Sequence, residues 1–222
     1  INEIYGSDYG DTFLGNSANS TFRGGIGNDT FYSSEGVNIH DGGADNDLFI
    51  ITSSTHGVGS LIGGLGNDTV DFSGVTDLVT PTKGLVITLN GNETVQASLN
   101  DVNSHKLTGI ENITGTIYND TIQGDYNNNI LRGFAGNNTL IGGAGDDTLD
   151  LSAIDGTLPA AAPITKADII VNAGAGDDTI ITAVTGGTLT GGAGKDTFDV
   201  ALALVEALKT AEATGVVKTT IT

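Results

Sequence analysis

The chain has 222 residues, of which 27 are acidic and 8 basic, so its formal net charge at pH 7 is −19. This balance suits a cation-binding protein and argues against a nucleic-acid partner, because duplex binding needs lysine and arginine, and no apolar run reaches the roughly 18 residues of a membrane span. The 34 glycines, the 5% aromatic residues and the absence of cysteine exclude disulfides and a large aromatic core, and favour a repeat fold with a thin core.

Residues 6–50 consist of five unbroken blocks of nine residues, which read GSDYGDTFL, GNSANSTFR, GGIGNDTFY, SSEGVNIHD and GGADNDLFI. Each block places a six-residue turn before three extended residues. Strand side chains alternate between two faces, so we expect the middle extended residue to point inward. The predicted inward column is Phe13, Phe22, Phe31, His40 and Phe49. Two blocks complete one coil, so residues 18 apart should stack on one another.

The sixth positions of these blocks alternate in charge. In chain order they are Asp11, Ser20, Asp29, Asn38 and Asp47. Carboxylates should therefore line one edge of the roll and not the other. Residues 51–71 hold three extra residues and end in GGLGNDTVD, which adds Asp68 to the same edge. An isolated aspartate in a turn is more simply a cap, but carboxylates stacked about 5 Å apart repel one another unless a cation lies between them.

Residues 72–114 lose the nine-residue frame. Gly84–Leu89 and Glu93–Leu99 both alternate, and they flank Asn90-Gly91-Asn92, which predicts a β-hairpin. We interpret residues 72–114 as a β insertion that bridges two roll blocks, because it is too short to bury a core of its own. The three glutamates outside the frame, Glu35, Glu93 and Glu111, are expected to be solvated.

The frame returns at residues 115–150, as GTIYNDTIQ, GDYNNNILR, GFAGNNTLI and GGAGDDTLD. A loop is expected at 151–172, in which a strand resumes at Ile169–Val171. The blocks AGAGDDTII, TAVTGGTLT and GGAGKDTFD follow at 173–199. We therefore predict a first roll block at 1–71 and a second at 115–199. The sixth-position aspartates of the second block are Asp120, Asp147, Asp178 and Asp196.

The last segment, residues 200–222, changes period. Ala201, Leu204, Val205, Leu208 and Ala211 form a helical stripe. We predict a helix from Val200 to Gly215 that caps the open end of the roll, since a bare sheet edge invites pairing with other chains. A final strand is expected at Lys218–Thr222. Because the chain does not begin with Met, we expect it to be a piece of a longer protein.

Gly142–Asp150 fits the nonapeptide G-G-x-G-x-D-x-U-x, as do Gly24–Tyr32, Gly63–Asp71 and Gly191–Asp199. In these blocks the chain resembles the RTX (repeats-in-toxin) calcium-binding proteins. Four blocks depart from the pattern, with Asp45 at a fourth position, Ala173 at a first position, Phe134 and Asn138 in block 133–141, and no second or fourth glycine in block 115–123. A site in block 133–141 should be weak or absent.

The resemblance implies an all-β fold, a right-handed parallel β-roll (β-solenoid) of nonapeptide repeats, with the β insertion and the C-terminal capping helix added to it. It also implies several Ca²⁺ ions held by sixth-position carboxylates and by backbone carbonyls of the glycine turns, which suits a hard cation that takes six to eight oxygens. The expected ligand residues are Asp11, Asp29, Asp47, Asp68, Asp120, Asp147, Asp178 and Asp196, with Gly25, Gly27, Gly43, Gly64, Gly66, Gly143, Gly145, Gly174, Gly176, Gly192 and Gly194.

No H-E-x-x-H or G-x-S-x-G motif occurs in the sequence, so we expect no enzyme activity from this chain. The preferred hypothesis is a calcium-binding structural module of a surface-layer protein that is exported by a type I system, folds outside the cell, and self-associates into a lattice or attaches to a cell-surface glycan. The alternatives are the C-terminal folding and secretion module of a secreted hydrolase or epimerase, and a calcium-dependent adhesin.

Overall fold

The computed structural model describes residues 3–55, 59–78, 83–91, 93–151, 170–182, 187–200 and 220–221. Within these ranges the chain forms β-strands in two sheets and no helix. The strands are β1 (Glu3–Tyr5), β2 (Thr12–Leu14), β3 (Thr21–Ile26), β4 (Thr30–Tyr32), β5 (Ile39–Ala44), β6 (Leu48–Ile50), β7 (Ser60–Leu65), β8 (Thr69–Asp71), β9 (Leu85–Thr88), β10 (Val95–Leu99), β11 (Val102–Thr108), β12 (Asn112–Thr114), β13 (Thr121–Gln123), β14 (Ile130–Arg132), β15 (Thr139–Ala144), β16 (Thr148–Asp150), β17 (Ile170–Ala175), β18 (Thr179–Thr182), β19 (Thr188–Ala193), β20 (Thr197–Val200) and β21 (Thr220–Ile221).

The framed strands alternate between the two sheets, as expected of a roll in which two blocks make one coil. The nine-stranded sheet has the order β2-β4-β6-β8-β12-β14-β16-β18-β20, and the twelve-stranded sheet has the order β1-β3-β5-β7-β11-β10-β9-β13-β15-β17-β19-β21. Neighbours pair in parallel with a register of 18 residues through most of the roll, for example Phe13 with Phe31. The predicted parallel β-roll is confirmed.

The inward column is also confirmed. In β2, β4 and β6 the middle residue is buried while its neighbours are more exposed. The rings of Phe13 and Phe31 stack with centroids 4.8 Å apart, and those of Phe31 and Phe49 lie 5.0 Å apart. Aliphatic residues such as Leu131, Leu149 and Ile180 fill the same column in the later coils. The core is therefore one side chain thick on each sheet.

The unframed segment continues the roll instead of interrupting it. β9 and β10 form the expected antiparallel hairpin, with Ser98 opposite Val86. β11 then pairs antiparallel with β10 and parallel with β7, and β9 pairs parallel with β13. The twelve-stranded sheet is thus unbroken across the segment, and the short β12 keeps the nine-stranded sheet continuous by pairing with β8 and β14.

The helix predicted from Val200 to Gly215 falls almost entirely outside the described residues, and it stays a prediction. Part of the predicted terminal strand is present, because Thr220–Ile221 pairs parallel with β19. The strand expected at Ile169–Val171 is present from Ile170 onward as the start of β17, which extends to Ala175. In the part of the chain that the structure describes, we find no helix of the length and apolar character needed to cross a bilayer.

His40 is the one polar member of the inward column over residues 13–49. It is 2% exposed, its ring lies 5.3 Å from those of Phe22 and Phe31, and neither ring nitrogen has a hydrogen-bond partner. Burial, and secondarily the nearby His105, lower its pKa from 6.5 to about 4. The folded protein thus holds this imidazole neutral and unpaired.

We expect His40→Phe to stabilise the protein in saturating calcium at pH 7 by about 1–2 kcal/mol, because an unpaired buried polar group is replaced by an apolar ring. The folded pKa of His40 lies below the unfolded one, so the unfolded chain takes up a proton first. The wild type therefore loses stability as pH falls from 6.5 towards 4, and the variant has no imidazole to titrate there. The stability difference between variant and wild type should therefore widen over that window in urea denaturation. A variant less stable than the wild type at every pH would contradict this reading.

Candidate metal centre

One edge of the roll carries a continuous column of mostly acidic side chains, which we call the acidic edge. It consists of the last turn residue before each strand of the nine-stranded sheet. Its members are Asp11, Asp29, Asp47, Asp68, Glu111, Asn129, Asp147, Asp178 and Asp196. Seven of the eight predicted aspartates lie here. Asp120 does not, because it precedes β13 in the other sheet.

The aspartates of this edge are linked from coil to coil through one carboxylate oxygen each. The main-chain N–H of Asp29 donates to Oδ1 of Asp47 at 2.8 Å, and that of Asp47 donates to Oδ1 of Asp68 at 2.8 Å. The same bond joins Asp147 to Asp178 at 2.8 Å, and Asp178 to Asp196 at 3.3 Å. Oδ1 is therefore used by the fold, and it fixes the orientation of the carboxylate.

In the interior coils the second carboxylate oxygen has no partner. Oδ2 is buried and without a hydrogen bond in Asp29, Asp47, Asp68, Asp147 and Asp178. These residues are at most 2% exposed. An unpaired, desolvated anionic oxygen is costly, and the same orphan recurring in five coils indicates that something absent from the polypeptide satisfies it.

The orphaned oxygens face small cradles formed by the glycine turns. A methyl group on Gly24 would overlap both Oδ2 of Asp29 and the carbonyl oxygen of Gly42 in the next coil. The arrangement repeats further along the edge, where Oδ2 of Asp147 and the carbonyl oxygen of Ala173 converge on the same point beside Gly142. Each cradle thus brings a carboxylate oxygen and a backbone carbonyl oxygen together with no donor between them.

All eleven predicted glycines lie on this edge, at the second and fourth positions of its turns. Each has a φ between 100° and 149°, a conformation that L side chains rarely adopt. Asp45 takes the place of a fourth-position glycine and is itself held at φ 76°, with Oδ2 accepting a bond from the N–H of Gly27 at 3.1 Å. The turn therefore keeps a positive φ at this position although the residue is not glycine.

Glu111 is a member of the edge that sequence reasoning missed. It was expected to be solvated, but it is half-buried and its Oε2 accepts the N–H of Asp68 at 2.8 Å. It therefore takes the place of the next sixth-position aspartate. Burial raises its pKa. The carbonyl of Gly109 completes the corresponding cradle, because a methyl group on Gly63 would overlap both that oxygen and Oδ2 of Asp68.

Three predicted ligands, Asp11, Asp120 and Asp196, have no buried oxygen that lacks a partner. Oδ1 of Asp120 accepts bonds from Leu85 N and Thr116 Oγ1, and its Oδ2 accepts the N–H of Thr116 at 2.7 Å. Asp11, in the first turn, is largely satisfied by Ser7, whose N–H and hydroxyl both donate to Oδ2 and lower its pKa. Asp196 is only partly buried at the other end. The complete cradles thus lie in the interior coils.

The electrostatics of the interior coils follow from their burial. Desolvation raises the pKa of Asp47 and of Asp147 to about 7 and that of Asp68 to about 6, and neighbouring carboxylates add to the shift. The pKa values of Asp29 and Asp178 are raised for the same first reason. Among the described residues, no lysine, arginine or histidine forms an ion pair with any of these five aspartates.

The donor set fits a hard cation. Among the described residues there is no cluster of three or more His, Cys, Asp or Glu side chains that would hold a metal, so an ion here would rely on backbone oxygens beside single carboxylates. Calcium takes six to eight oxygen ligands in flexible geometry, whereas zinc and softer metals prefer nitrogen and sulfur. The cradles offer only oxygen.

The chain matches the RTX calcium-binding nonapeptide repeat family at residues 5–39, 60–79, 109–150 and 170–183. These stretches make up half of the chain and contain Asp29, Asp68, Asp147 and Asp178. The chain belongs to the RTX calcium-binding repeat family. RTX repeats bind Ca²⁺, a hard cation of the kind that the oxygen donors of the acidic edge fit. No curated protein sequence matched the chain.

The raised pKa values predict how this RTX roll responds to acid without calcium. A carboxyl whose folded pKa exceeds its unfolded value of about 3.9 stabilises the fold at low pH and ceases to do so as pH rises through the folded pKa. We therefore expect calcium-depleted protein to gain β-sheet signal as pH falls from 8 to about 5, still above the isoelectric point of about 4.1.

In saturating calcium the sign reverses, because protons then compete with the ion for the same oxygens. Circular dichroism of the two forms across this pH range checks the prediction. A calcium-depleted protein whose β-sheet signal is flat or falls on acidification would contradict it.

Proposed function

We propose that this calcium-binding β-roll is a structural module that folds only when it meets calcium outside the cell. The observation that carries the proposal is the column of five buried carboxylate oxygens without partners. Five buried and unpaired carboxylate oxygens destabilise the fold of the polypeptide alone. Extracellular calcium modules bind at roughly 10⁻⁴ to 10⁻³ M, so the same chain would stay unfolded in a low-calcium cytosol.

This behaviour suits export as an unfolded chain. RTX repeat proteins are typically secreted by type I systems, which supports an extracellular location for this chain. The chain has no cysteine, so its stability outside the cell does not come from disulfides. Calcium clamps between adjacent coils would supply that stability instead.

We further propose that the parent protein is of the surface-layer type and that the roll packs into a lattice. One outward row of the nine-stranded sheet supports this, because threonines repeat in register there, as in Thr148, Thr179 and Thr197. Copies of the same chain would pack against this regular row. Attachment to a cell-surface glycan belongs to the same hypothesis.

The test is assembly of the purified chain as calcium is added, followed by electron microscopy and light scattering. We expect ordered two-dimensional sheets in millimolar calcium and none in magnesium. A chain that binds calcium, folds and stays monomeric would overturn the lattice proposal and favour the alternative, a folding and secretion module of a secreted hydrolase or epimerase.

A further inference from the structure

We infer that the opposite edge of the roll needs no calcium, because asparagine side-chain amides there take the place of the ion. This inference rests on the proposed calcium-coupled folding, and it adds an assignment of the turns that bind calcium. The opposite edge, here called the amide edge, consists of the last turn residues before the framed strands of the twelve-stranded sheet. Its described members include Ser20, Asn38, Asp120 and Asn138.

Asn38 and Asn138 repeat one half of the aspartate geometry. Oδ1 of Asn38 accepts the N–H of Ser20 at 2.9 Å, and Oδ1 of Asn138 accepts the N–H of Asp120 at 2.9 Å. These are the same coil-to-coil bonds that the acidic edge makes through the Oδ1 atoms of its aspartates. Both asparagines are buried.

The other half of the geometry differs. Nδ2 of Asn138 donates to the carbonyl oxygens of Gly133 and Ala135 in its own turn, at 2.8 and 2.9 Å. Nδ2 of Asn38 donates to the carbonyl oxygen of Gly36 at 2.9 Å and to Oγ of Ser34 at 2.7 Å. At the corresponding place an aspartate has Oδ2, which donates nothing to the turn carbonyls. The N–H groups of an amide thus donate to the turn carbonyls. A carboxylate leaves the same carbonyls free to bind a cation.

Asn129 holds the corresponding position inside the acidic edge, with its amide reversed, so that Oδ1 faces its own turn and Nδ2 faces the neighbouring coil. Its Oδ1 accepts the N–H of Asp125 at 2.9 Å, and its Nδ2 donates to the carbonyl oxygen of Glu111 at 2.8 Å. No side-chain atom of Asn129 is orphaned. The ion column is therefore interrupted at this coil. Calcium falls into two groups, one along Asp29–Asp68 and one at Asp147 and Asp178.

Asp120 is the one carboxylate that we identify among the described members of the amide edge. Its carboxylate accepts three bonds from Thr116 and Leu85, and its own N–H donates to Asn138. The turn is closed by donors from the protein. The sixth residue alone does not decide occupancy; a turn takes calcium where a buried carboxylate oxygen is left without a donor.

Reciprocal substitutions test the inference. Asp147→Asn should close its turn without an ion, so the variant should bind fewer calcium ions and reach half-folding at a calcium concentration lower by about threefold or more. Asp146→Asn is the matched control, because it removes the same charge from an exposed neighbour. Asn138→Asp should raise the half-folding concentration by a similar factor, and Asn128→Asp, which adds the same charge at an exposed position, should change it little.

Ion number is measured by equilibrium dialysis and folding by circular dichroism during calcium titration. The inference is overturned if Asp147→Asn binds as many ions as the wild type or needs more calcium to fold. It is also overturned if Asn138→Asp matches Asn128→Asp. A wild type that binds no calcium would overturn the proposed function as well, whereas a calcium-dependent wild type with unresponsive variants would overturn the inference alone.

Discussion

In excess EGTA at neutral pH we expect the chain to lose its far-ultraviolet β-sheet signal and to expand to the dimensions of an unfolded chain. The change should be cooperative and reversible on adding calcium. Both the spectroscopic signal and the hydrodynamic radius measure it. The expected loss is that of the whole fold, which makes it the largest effect considered for this protein.

The physical reason is a thin core opposed by stacked charge. Two unit charges about 5 Å apart repel by roughly 3 kcal/mol at an effective dielectric constant of about 20. The acidic edge places Asp29, Asp47 and Asp68 in consecutive coils, and Asp147, Asp178 and Asp196 do the same further on. One inward side chain per strand offers little apolar burial against that repulsion, and the total stability of a domain is only about 5–15 kcal/mol.

Magnesium is the control for this experiment. It demands a tight octahedral shell and gives up its water reluctantly, so it should not restore the β-sheet signal at the concentration at which calcium does. Retention of the full signal and of an unchanged melting temperature in EGTA would show that the orphaned oxygens are tolerated without an ion.

Gly43→Ala should lower the free energy of unfolding in saturating calcium by roughly 2–4 kcal/mol and weaken calcium binding. Gly43 has a φ of 115°, and an added Cβ would overlap the carbonyl oxygen of Gly25 in the preceding coil. Backbone strain of this kind costs about 1–3 kcal/mol, and moving the Gly25 carbonyl adds to that cost. Because the same turn forms a cradle on the acidic edge, stability and affinity should fall together.

Asp45→Gly is the matched control, two residues away in the same turn. It restores the repeat consensus at a position with a φ of 76°, and it removes the exposed 3.1 Å bond to Gly27 and one carboxylate charge near Asp47. Its stability should stay within about 1 kcal/mol of the wild type. Urea denaturation and calcium titration of both variants check the pair, and equal effects of the two substitutions would contradict the role given to Gly43.

The sequence predicted the roll because the same nine-residue block encodes both the turn and the strand. The inward column and the 18-residue register follow from that period, and the stack of Phe13, Phe31 and Phe49 confirms both. The local hairpin of β9 and β10 could also be predicted from the sequence. The continuity of the larger sheet through β11, β10 and β9 could not, because β11 and β9 also pair with strands far away in the chain.

The candidate site was predicted in part. Asp120 and Asp147 lie 27 residues apart, an odd number of blocks, so their opposite edges were already readable from the spacing. Glu111 lies outside the frame. The only sequence feature that pointed to its role was a glycine two residues before it, together with its place just before a strand. The contrast between orphaned Oδ2 atoms and satisfied amides depends on the neighbouring coil, which composition and spacing do not specify.

A crystal structure of the calcium-loaded protein, with anomalous scattering used to locate the ions, tests the calcium sites most directly. We expect peaks beside Oδ2 of Asp29, Asp47, Asp68, Asp147 and Asp178, and none beside Asn38 or Asn138. Peaks along the amide edge, or an acidic edge without peaks in saturating calcium, would contradict this expectation.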